Sequence, residues 1–287
     1  MSTELPAAVP PAWSGFLDDA GVFPPGNAEL PDAVQSFRRR RDEWYADLVA
    51  SLVVTDERVP GVGDAQIPLS IVVTGGAGAL AGALRLAARA GNPVSGLEIA
   101  LRDLDDLAGN ARRVVAAVHA ARDEGALDDE TPVYVELPAA EVTHGWEAAA
   151  DEVAAAELRL KFRTGGIDAH QFPPAEQLAA WIDAALDREL AFKCTAGLHN
   201  AVRHRDHDTG FEHHGFLNVL AATAEADSGL GADDVVETLS LTDDAELLGL
   251  AHELDLAKAR RWFTGIGSCS ILEPLADLTD LGLLEAP

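Results

Sequence analysis

Lysine is almost absent from this sequence of 287 residues. The 21 basic residues comprise 18 arginines and only three lysines, which are Lys161, Lys193 and Lys258. In a chain that uses arginine nearly everywhere, each lysine that is kept needs a reason. Arginine keeps its charge under all ordinary conditions, whereas the amine of lysine can lose its proton and react. The lysines are therefore the first candidates for chemistry.

Cysteine is also scarce, and long apolar runs are missing. Two thiols, Cys194 and Cys269, offer no disulfide framework for a domain of this size, so we expect both to be reduced. No apolar run approaches the roughly 20 residues that cross a bilayer. The N-terminal sequence MSTELPAAVPPAW lacks the basic and apolar regions of a secretory signal. We therefore expect a cytoplasmic protein without a membrane partner.

Positive charge is in deficit along the whole chain. The formal net charge is −27, and the acidic residues are spread rather than gathered in one tail. This surface repels nucleic acid and anionic membranes, so neither is expected as a partner. The basic run at residues 38–41 lies beside acidic residues in a helical pattern, which is typical of a solvated helix face. The expected partner is a small molecule, no cofactor is expected, and a homo-oligomer is left open.

Strand-like and helix-like segments alternate after a Pro- and Ala-rich start. We expect residues 1–12 to be flexible and residues 13–287 to form one domain. Eight apolar segments predict strands, at residues 15–23, 52–55, 69–74, 96–102, 132–137, 158–163, 190–195 and 262–268. Helical patterns lie near residues 31–50, 77–90, 104–122, 141–156, 174–188, 214–227, 243–259 and 272–284.

This alternation predicts parallel pairing with right-handed crossovers, and eight units predict closure into a single (β/α)8 barrel of the TIM type. The second unit is degenerate, because its crossover is too short for a full helix. A long insertion separates strands seven and eight. A doubly wound open sheet is the alternative. Gly76-Ala-Gly78-Ala-Leu-Ala81 matches a loose dinucleotide fingerprint of such folds, although its context in the chain is wrong for one.

Charged residues recur inside the predicted strands, where a parallel sheet is normally apolar on both faces. A charge there is costly unless it is paired or used. By period-two alternation, each strand places its charges on one face. We expect these residues to meet at the C-terminal mouth of the barrel, where such enzymes build their sites. The residues are Glu98 and Arg102, Glu136, Arg159, Lys161 and Arg163, and Lys193. A set of structural ion pairs inside a polar barrel is the alternative.

Glycine-containing turns follow the three last predicted strands. Glycine lets backbone amides approach an anion closely, as phosphate-binding loops require. We therefore expect phosphate or carboxylate to bind here together with Arg163. The residues concerned are Gly165 and Gly166, His199, and Gly267, Ser268 and Ser270.

Two resemblances follow from these motifs. KFRTGG, FKCTAGLHN, HGFLN and GIGSCSILEP, spread over residues 158–284, look like a family of bacterial proteins, a resemblance that implies no activity. More loosely, two lysines 32 residues apart on adjacent strands, each before a Gly-rich turn, are similar to the class I aldolases of the deoxyribose-phosphate type. That resemblance implies Lys161 as the imine-forming nucleophile and Lys193 as its electrostatic partner, with Glu98 or Glu136 moving protons.

The chain departs from the aldolases at three points. Arg163 follows the first lysine, His199 follows the second, and glutamate stands where aspartate is expected. The chemistry is coherent nevertheless, because an amine attacks a carbonyl only when it is neutral. A neighbouring cation and partial desolvation lower the pKa of a lysine, so we expect Lys193 to lower the pKa of Lys161.

Five of the nine histidines lie within residues 199–214, yet their spacing matches no established metal-ligand pattern, and no metal is expected. His204 and His207 are read as a solvated loop, and His199 as facing substrate. His214 opens a helix and could meet an anion there. Cys269 resembles a nucleophile on a strand-end turn, but no histidine is adjacent in sequence, so a packed thiol is the simpler interpretation.

The sequence thus predicts a barrel enzyme, a lyase or isomerase, that acts on a small carbonyl compound bearing phosphate or carboxylate. Two alternatives remain open. One is a metal-dependent or phosphoribosyl-type barrel enzyme that uses its lysines as anion clamps, and the other is a protein that binds small anions without catalysis.

Overall fold

The computed structural model describes residues 9–287. Its strands are β1 (Leu17–Asp19), β2 (Val49–Thr55), β3 (Leu69–Val72), β4 (Val94–Ala100), β5 (Val133–Glu136), β6 (Arg159–Arg163), β7 (Phe192–Thr195), β8 (His204–Arg205), β9 (Glu212–His213) and β10 (Phe263–Ser268). Eight of them close into a parallel barrel in the order β1-β2-β3-β4-β5-β6-β7-β10, with β10 pairing back onto β1. The predicted (β/α)8 barrel is confirmed, and the doubly wound alternative is excluded because the sheet closes.

Helices connect the strands on the outside of the barrel. They are α1 (Leu30–Arg40), α2 (Val59–Val62), α3 (Leu80–Ala90), α4 (Leu107–Asp123), α5 (His144–Ala155), α6 (Ala175–Leu186), α7 (Phe216–Ser228), α8 (Ala232–Ser240), α9 (Asp244–Glu253), α10 (Leu256–Ala259) and α11 (Leu272–Asp280). The second unit is degenerate as predicted, since α2 has four residues. Several helices begin at side-chain caps; at α4 Asp106 accepts the amide of Gly109, and at α5 Thr143 accepts that of Trp146.

The long insertion lies between β7 and β10. It begins with the antiparallel pair β8 and β9 and continues through α7 to α10. Residues 216–225 of α7 are all buried, so this helix is part of the core rather than an appendage. The insertion therefore contributes buried side chains to the core of the barrel.

Alternation within each strand divides apolar from charged side chains, as β6 illustrates. Leu160 and Phe162 are buried on the helix-facing side, where the Phe162 ring lies 5.4 Å from Trp181 and 5.0 Å from Phe192. Lys161, between them in sequence, points into the barrel. The apolar core thus lies between the strands and the helices, and the polar residues fill the interior of the barrel.

Some predicted boundaries were wrong. The helical pattern predicted over residues 31–50 ends as a helix at Arg40, and the chain from Val49 is strand β2. That strand pairs with both β1 and β3, so backbone pairing overrides the local helical pattern. Similarly, β4 ends at Ala100, which leaves Arg102 exposed and outside the strand on which we expected it to share a face with Glu98.

Two further observations concern the N-terminus and membranes. Residues 1–8 of the segment expected to be flexible lie outside the described residues, while Val9 is buried against the core. Among residues 9–287, no helix is long and apolar enough to cross a membrane.

Candidate active site

Lys161 and Lys193 lie side by side inside the barrel. They occupy β6 and β7, and the two strands pair in a register that sets one lysine directly beside the other. Both side chains are almost completely buried, with exposed fractions of 6% and 2%. Two ammonium groups this close would repel strongly unless anions separated them.

Glu98 on β4 is the anion that separates them. Its Oε2 lies 2.7 Å from Lys161 Nζ, and its Oε1 lies 2.7 Å from Lys193 Nζ. The hydroxyl of Ser70 on β3 donates to the same Oε1 at 3.0 Å. Glu98 is itself 2% exposed, so the carboxylate bridges the lysines in a nearly dry interior.

Two further carboxylates complete the coordination of the lysines. Glu136 accepts from Lys161 Nζ at 2.8 Å and from Arg163 Nε at 3.2 Å. On the other side, Asp18 of β1 lies 2.5 Å from Lys193 Nζ and accepts from the hydroxyl of Ser51. We call the resulting chain of alternating charges the ion chain; in order it comprises Arg163, Glu136, Lys161, Glu98, Lys193 and Asp18.

The ion chain sets the protonation of its members. Burial alone would raise the pKa of Glu98, but the two ammonium groups lower it well below its usual range. Burial alone would lower the pKa of Lys161, but Glu98 and Glu136 raise it. Lys193 behaves in the same way, with Asp18 and Glu98 raising its pKa against burial. The expectation that Lys193 lowers the pKa of Lys161 is therefore wrong for the resting site, because carboxylates surround each amine.

The ion chain runs along the barrel from its carboxyl-terminal mouth toward the opposite end. Arg163, at the end of β6, is 41% exposed at the mouth, whereas Lys161 lies one layer deeper. Arg159 begins β6 and lies at the amino-terminal end, where its Nη1 donates to the hydroxyl of Tyr134 at 3.2 Å. The expectation that all the strand charges meet at the mouth was thus wrong for Arg159, since alternating residues of one strand sit at successive depths.

A cavity of about 220 Å³ opens at this amino-terminal end. Hydroxyl and charged groups line much of the cavity, and the side chain of Lys193 is part of this lining. Tyr134 spans one side, with its hydroxyl 3.0 Å from that of Thr264 and its ring centroid 5.1 Å from Lys193 Nζ. The polar lining comprises Asp18, Ser51, Ser70, Ser95, Tyr134, Arg159, Lys193 and Thr264.

In the glycine turn after β6, a side chain of the protein already accepts two of the backbone amides. Gln171 Oε1 accepts the amides of Ile167 at 2.7 Å and Asp168 at 3.0 Å. Within residues 9–287, the amides of Gly165 and Gly166 donate to no protein acceptor. Gly165 is buried against Gly197, whereas Gly166 is exposed, so the amide of Gly166 is the accessible donor beside Arg163 at the mouth.

The turn after β10 is more self-contained. Ser268 is completely buried and its hydroxyl donates to the carbonyl of Ser270 at 2.6 Å. The hydroxyl of Ser270 accepts the amide of Glu273 at 3.3 Å, at the start of α11. A side chain at Gly267 would meet Thr195 at 3.2 Å, so this glycine allows β10 to pack against β7. These side chains hold the turn together, and their predicted anion role stays a prediction.

His199 lies at the same mouth, but its contacts are with residues other than the lysines. Its Nδ1 is 2.8 Å from Glu273 Oε2, and its ring lies against the thiol of Cys269, with Nε2 3.4 Å from Sγ. No histidine is adjacent to Cys269 in sequence, but the fold places His199 against its thiol. The loop after β7 and the turn after β10 bring together residues 70 positions apart.

The remaining histidines form no metal site. His214 is buried, donates from Nε2 to the carbonyl of Pro173 at 2.8 Å, and accepts at Nδ1 from Arg203 at 3.2 Å. Burial and Arg203 lower its pKa to about 4, so it is neutral and has no nitrogen left for the anion considered above. In the part of the chain that the structure describes, no three His, Cys, Asp or Glu side chains are placed to hold a metal ion.

Sequence reasoning missed Asp18, Ser70 and Tyr134. Asp18 lies in a strand of three residues, which is too short for alternation to show which side chain points inward. Ser70 and Tyr134 stand in apolar strand patterns, where a single hydroxyl is unremarkable. The signal that could have found Asp18 is charge balance, because two buried lysines require more anions than Glu98 alone provides.

Comparison with known protein families and with curated proteins gives no match to this chain.

Proposed function

We propose that this barrel is an enzyme that acts on a small carbonyl compound bearing a phosphate or carboxylate, and that Lys161 attacks the carbonyl to form an imine. The observation that carries the proposal is the buried Glu98 carboxylate shared between lysines on neighbouring strands. A purely apolar interior would stabilise a barrel at least as well as buried ion pairs do, so charges kept there point to a use.

Proton acceptors for Lys161 are already in place. The amine must lose a proton before it attacks, and Glu136 Oε2 lies 2.8 Å from Nζ. Glu136 is the less buried of the two carboxylates on this lysine and lies nearer the mouth. Transfer to Glu136 would free the Nζ lone pair, and Glu136 would return the proton to the departing hydroxyl when the carbinolamine loses water.

The carboxylates that raise the pKa of Lys161 also favour the product of this step. An iminium ion carries the same single positive charge as the ammonium ion that it replaces. Glu98 and Glu136 would therefore stabilise both species, and the charge balance of the ion chain would be kept. Lys193, held by Asp18 and Glu98, would remain charged beside the intermediate.

The mouth offers groups for the anionic end of the substrate. Arg163 uses Nε for Glu136, which leaves its other nitrogens free at a partly exposed position. With the exposed amide of Gly166 it supports charge-assisted binding of phosphate or carboxylate. These short contacts work despite the net charge of −27, because distant exposed charges are screened beyond about 8 Å at physiological salt.

A second candidate is that both lysines act only as charges that hold an anion. The raised pKa of each lysine favours it, since a permanently protonated amine cannot be a nucleophile. The variant Lys161→Arg distinguishes the two candidate functions, because arginine keeps the charge but cannot form an imine.

The test is reductive trapping. The protein is incubated with borohydride and a panel of short aldehydes, ketones and 2-oxo acids, with and without phosphate, and adducts are located by mass spectrometry. The proposal expects an adduct on Lys161 that is lost in Lys161→Arg. Lys258, on α10 with 54% of its side chain exposed, provides the matched variant Lys258→Arg, which should leave trapping intact.

Two results would contradict the imine. One is the absence of an adduct on Lys161 with every compound between pH 5 and 9. The other is a Lys161→Arg enzyme that keeps its turnover of whichever panel member the wild type converts. Either result would favour the lysines as anion clamps.

A further inference from the structure

Three side chains at the mouth form a connected thiol, imidazole and carboxylate. Cys269 follows β10, His199 lies in the loop after β7, and Glu273 stands in the first turn of α11. Cys269 Sγ is 3.4 Å from His199 Nε2, and His199 Nδ1 is 2.8 Å from Glu273 Oε2. Within residues 9–287, no side-chain hydrogen bond or ion pair joins the three to the ion chain, and the imine chemistry proposed for Lys161 does not use them.

We propose that Cys269 is a second nucleophile of this barrel, which takes an acyl group from a small ester or thioester, with His199 as its base. Glu273 is a positioning residue that holds Nδ1 and leaves Nε2 to face the sulfur. A nucleophile, a base within reach and a third group that orients the base are the components of nucleophilic acyl transfer on unrelated folds.

The surroundings of the sulfur support a reactive thiol over a merely packed one. The Gly26 backbone lies close to Cys269 and lowers the pKa of its thiol, against the larger raising effect of burial. Glycine is needed at this position, because a Cβ there would lie 2.7 Å from the carbonyl oxygen of Gly21 and 3.2 Å from Cys269 Cβ. The loop after β1 is thereby held against Cys269, which remains partly exposed to solvent.

The Cys269 thiol is protonated at rest, so His199 must remove its proton for the sulfur to attack. Burial raises the pKa of Cys269, and the carboxylate of Glu273 raises it further. Sγ is also 3.6 Å from Nδ1, so the sulfur lies against the ring rather than along the axis of one nitrogen lone pair. A small rotation of the imidazole or the thiol would align them, and such contacts commonly tighten when substrate binds.

The reaction balances with water as the only co-reactant. Sγ attacks the acyl carbon while its proton passes to His199 Nε2, and the bond to the leaving alcohol or thiol breaks as that group takes the proton. Water then attacks the thioester on Cys269, giving a proton to His199, which returns it to the departing sulfur. The products are the free acid and the alcohol or thiol.

The chain contains its own matched control for a thiol assay. Cys194 is the other cysteine; it is completely buried, and burial raises the pKa of its thiol. With p-nitrophenyl acetate, the full-length protein should release a burst of one equivalent of p-nitrophenolate, and peptide mass spectrometry should find the acetyl group on Cys269. Cys269→Ser should lose the burst.

Two variants test the roles of the neighbours. His199→Gln should slow acylation about a hundredfold, the scale of one general base, whereas the fully exposed His207→Gln should not. Glu273→Ala should lower kcat for p-nitrophenyl acetate and leave KM unchanged, because the imidazole loses the acceptor that holds Nδ1 while the substrate still binds. Glu273 is half exposed, so this variant should fold even if His199→Gln does not.

The proposal is overturned if no burst is seen, if the acetyl group appears on other residues, or if both neighbour variants keep the wild-type rate. A burst that Cys269→Ser retains would also overturn it, since another side chain would then be the nucleophile.

Discussion

Lys161 and Lys193 are register partners on adjacent strands, yet each binds a different oxygen of the same carboxylate. Like charges on neighbouring strands are destabilising when nothing lies between them. Glu98 lies between the two ammonium groups and attracts both, so this side chain contributes strongly to the stability of the barrel interior.

Replacing Glu98 by Gln should lower the free energy of unfolding by about 3–5 kcal/mol, because two buried ammonium ions lose their shared partner. Urea unfolding monitored by circular dichroism measures the change. Asp103 pairs with Arg113 at 2.8 Å where both side chains are about half exposed, so Asp103→Asn should cost less than about 1 kcal/mol. Equal small losses in the two variants would show that water already screens the ion chain.

His214 should make the protein less stable in acid. Its pKa is about 4 in the folded protein and about 6.5 when unfolded, so between these values only the unfolded chain takes up the proton. The free energy of unfolding should therefore fall as the pH drops from about 6.5 to 4, by at most about 3 kcal/mol from this residue.

The variant His214→Gln removes this titration and should show a smaller loss of stability over the same pH range. The loss of the His214 hydrogen bonds changes the free energy of unfolding by an amount that does not depend on pH. The quantity to compare is therefore the change of this free energy with pH. His207→Gln, at a fully exposed position, should keep the wild-type slope. Identical slopes in all three proteins would mean that His214 is protonated in the folded state.

Gly265 should not tolerate alanine. A Cβ there would lie 2.6 Å from the carbonyl oxygen of Phe16, which accepts the amide of Ile266 across the β1–β10 pair. The strands would have to separate, at a cost of about 1–3 kcal/mol. Gly249 in α9 has open space around its Cβ position, so Gly249→Ala should instead stabilise by about 0.5–1 kcal/mol. Thermal unfolding of both variants tests the contrast.

If the mouth binds an anion as proposed, phosphate should raise the thermal midpoint of the wild type by binding the folded state only. Arg163→Gln should remove most of this shift, because it deletes the charged donor beside Gly165 and Gly166. Arg112→Gln is the control, since Arg112 pairs with Glu152 in an exposed contact between helices. An unchanged shift in Arg163→Gln would place the anion elsewhere.

The predictions from sequence that proved correct are those that depend on a single strand or a single helix. Alternation in RLKFR assigned Lys161 to the face opposite Leu160 and Phe162, and it did so correctly because a strand repeats every two residues wherever it lies. The same local reasoning failed over residues 41–50, where turns and a short 3-10 helix follow α1 and strand β2 begins at Val49.

The sequence by itself determined the alternation of eight strands with helices and the lysines that the sheet would hold, and it favoured a closed barrel over the doubly wound alternative. Only the tertiary structure decided which groups meet, because closure of the barrel brings β1 beside β10 and places Asp18 against Lys193, 175 residues away in the chain. The pairing of β7 with β10 placed His199 beside Cys269, and the position of Arg159 at the start of β6 left it at the end opposite the mouth. Such contacts depend on strand register and on the depth of each residue in the barrel, and neither is recorded in the spacing of residues along one segment.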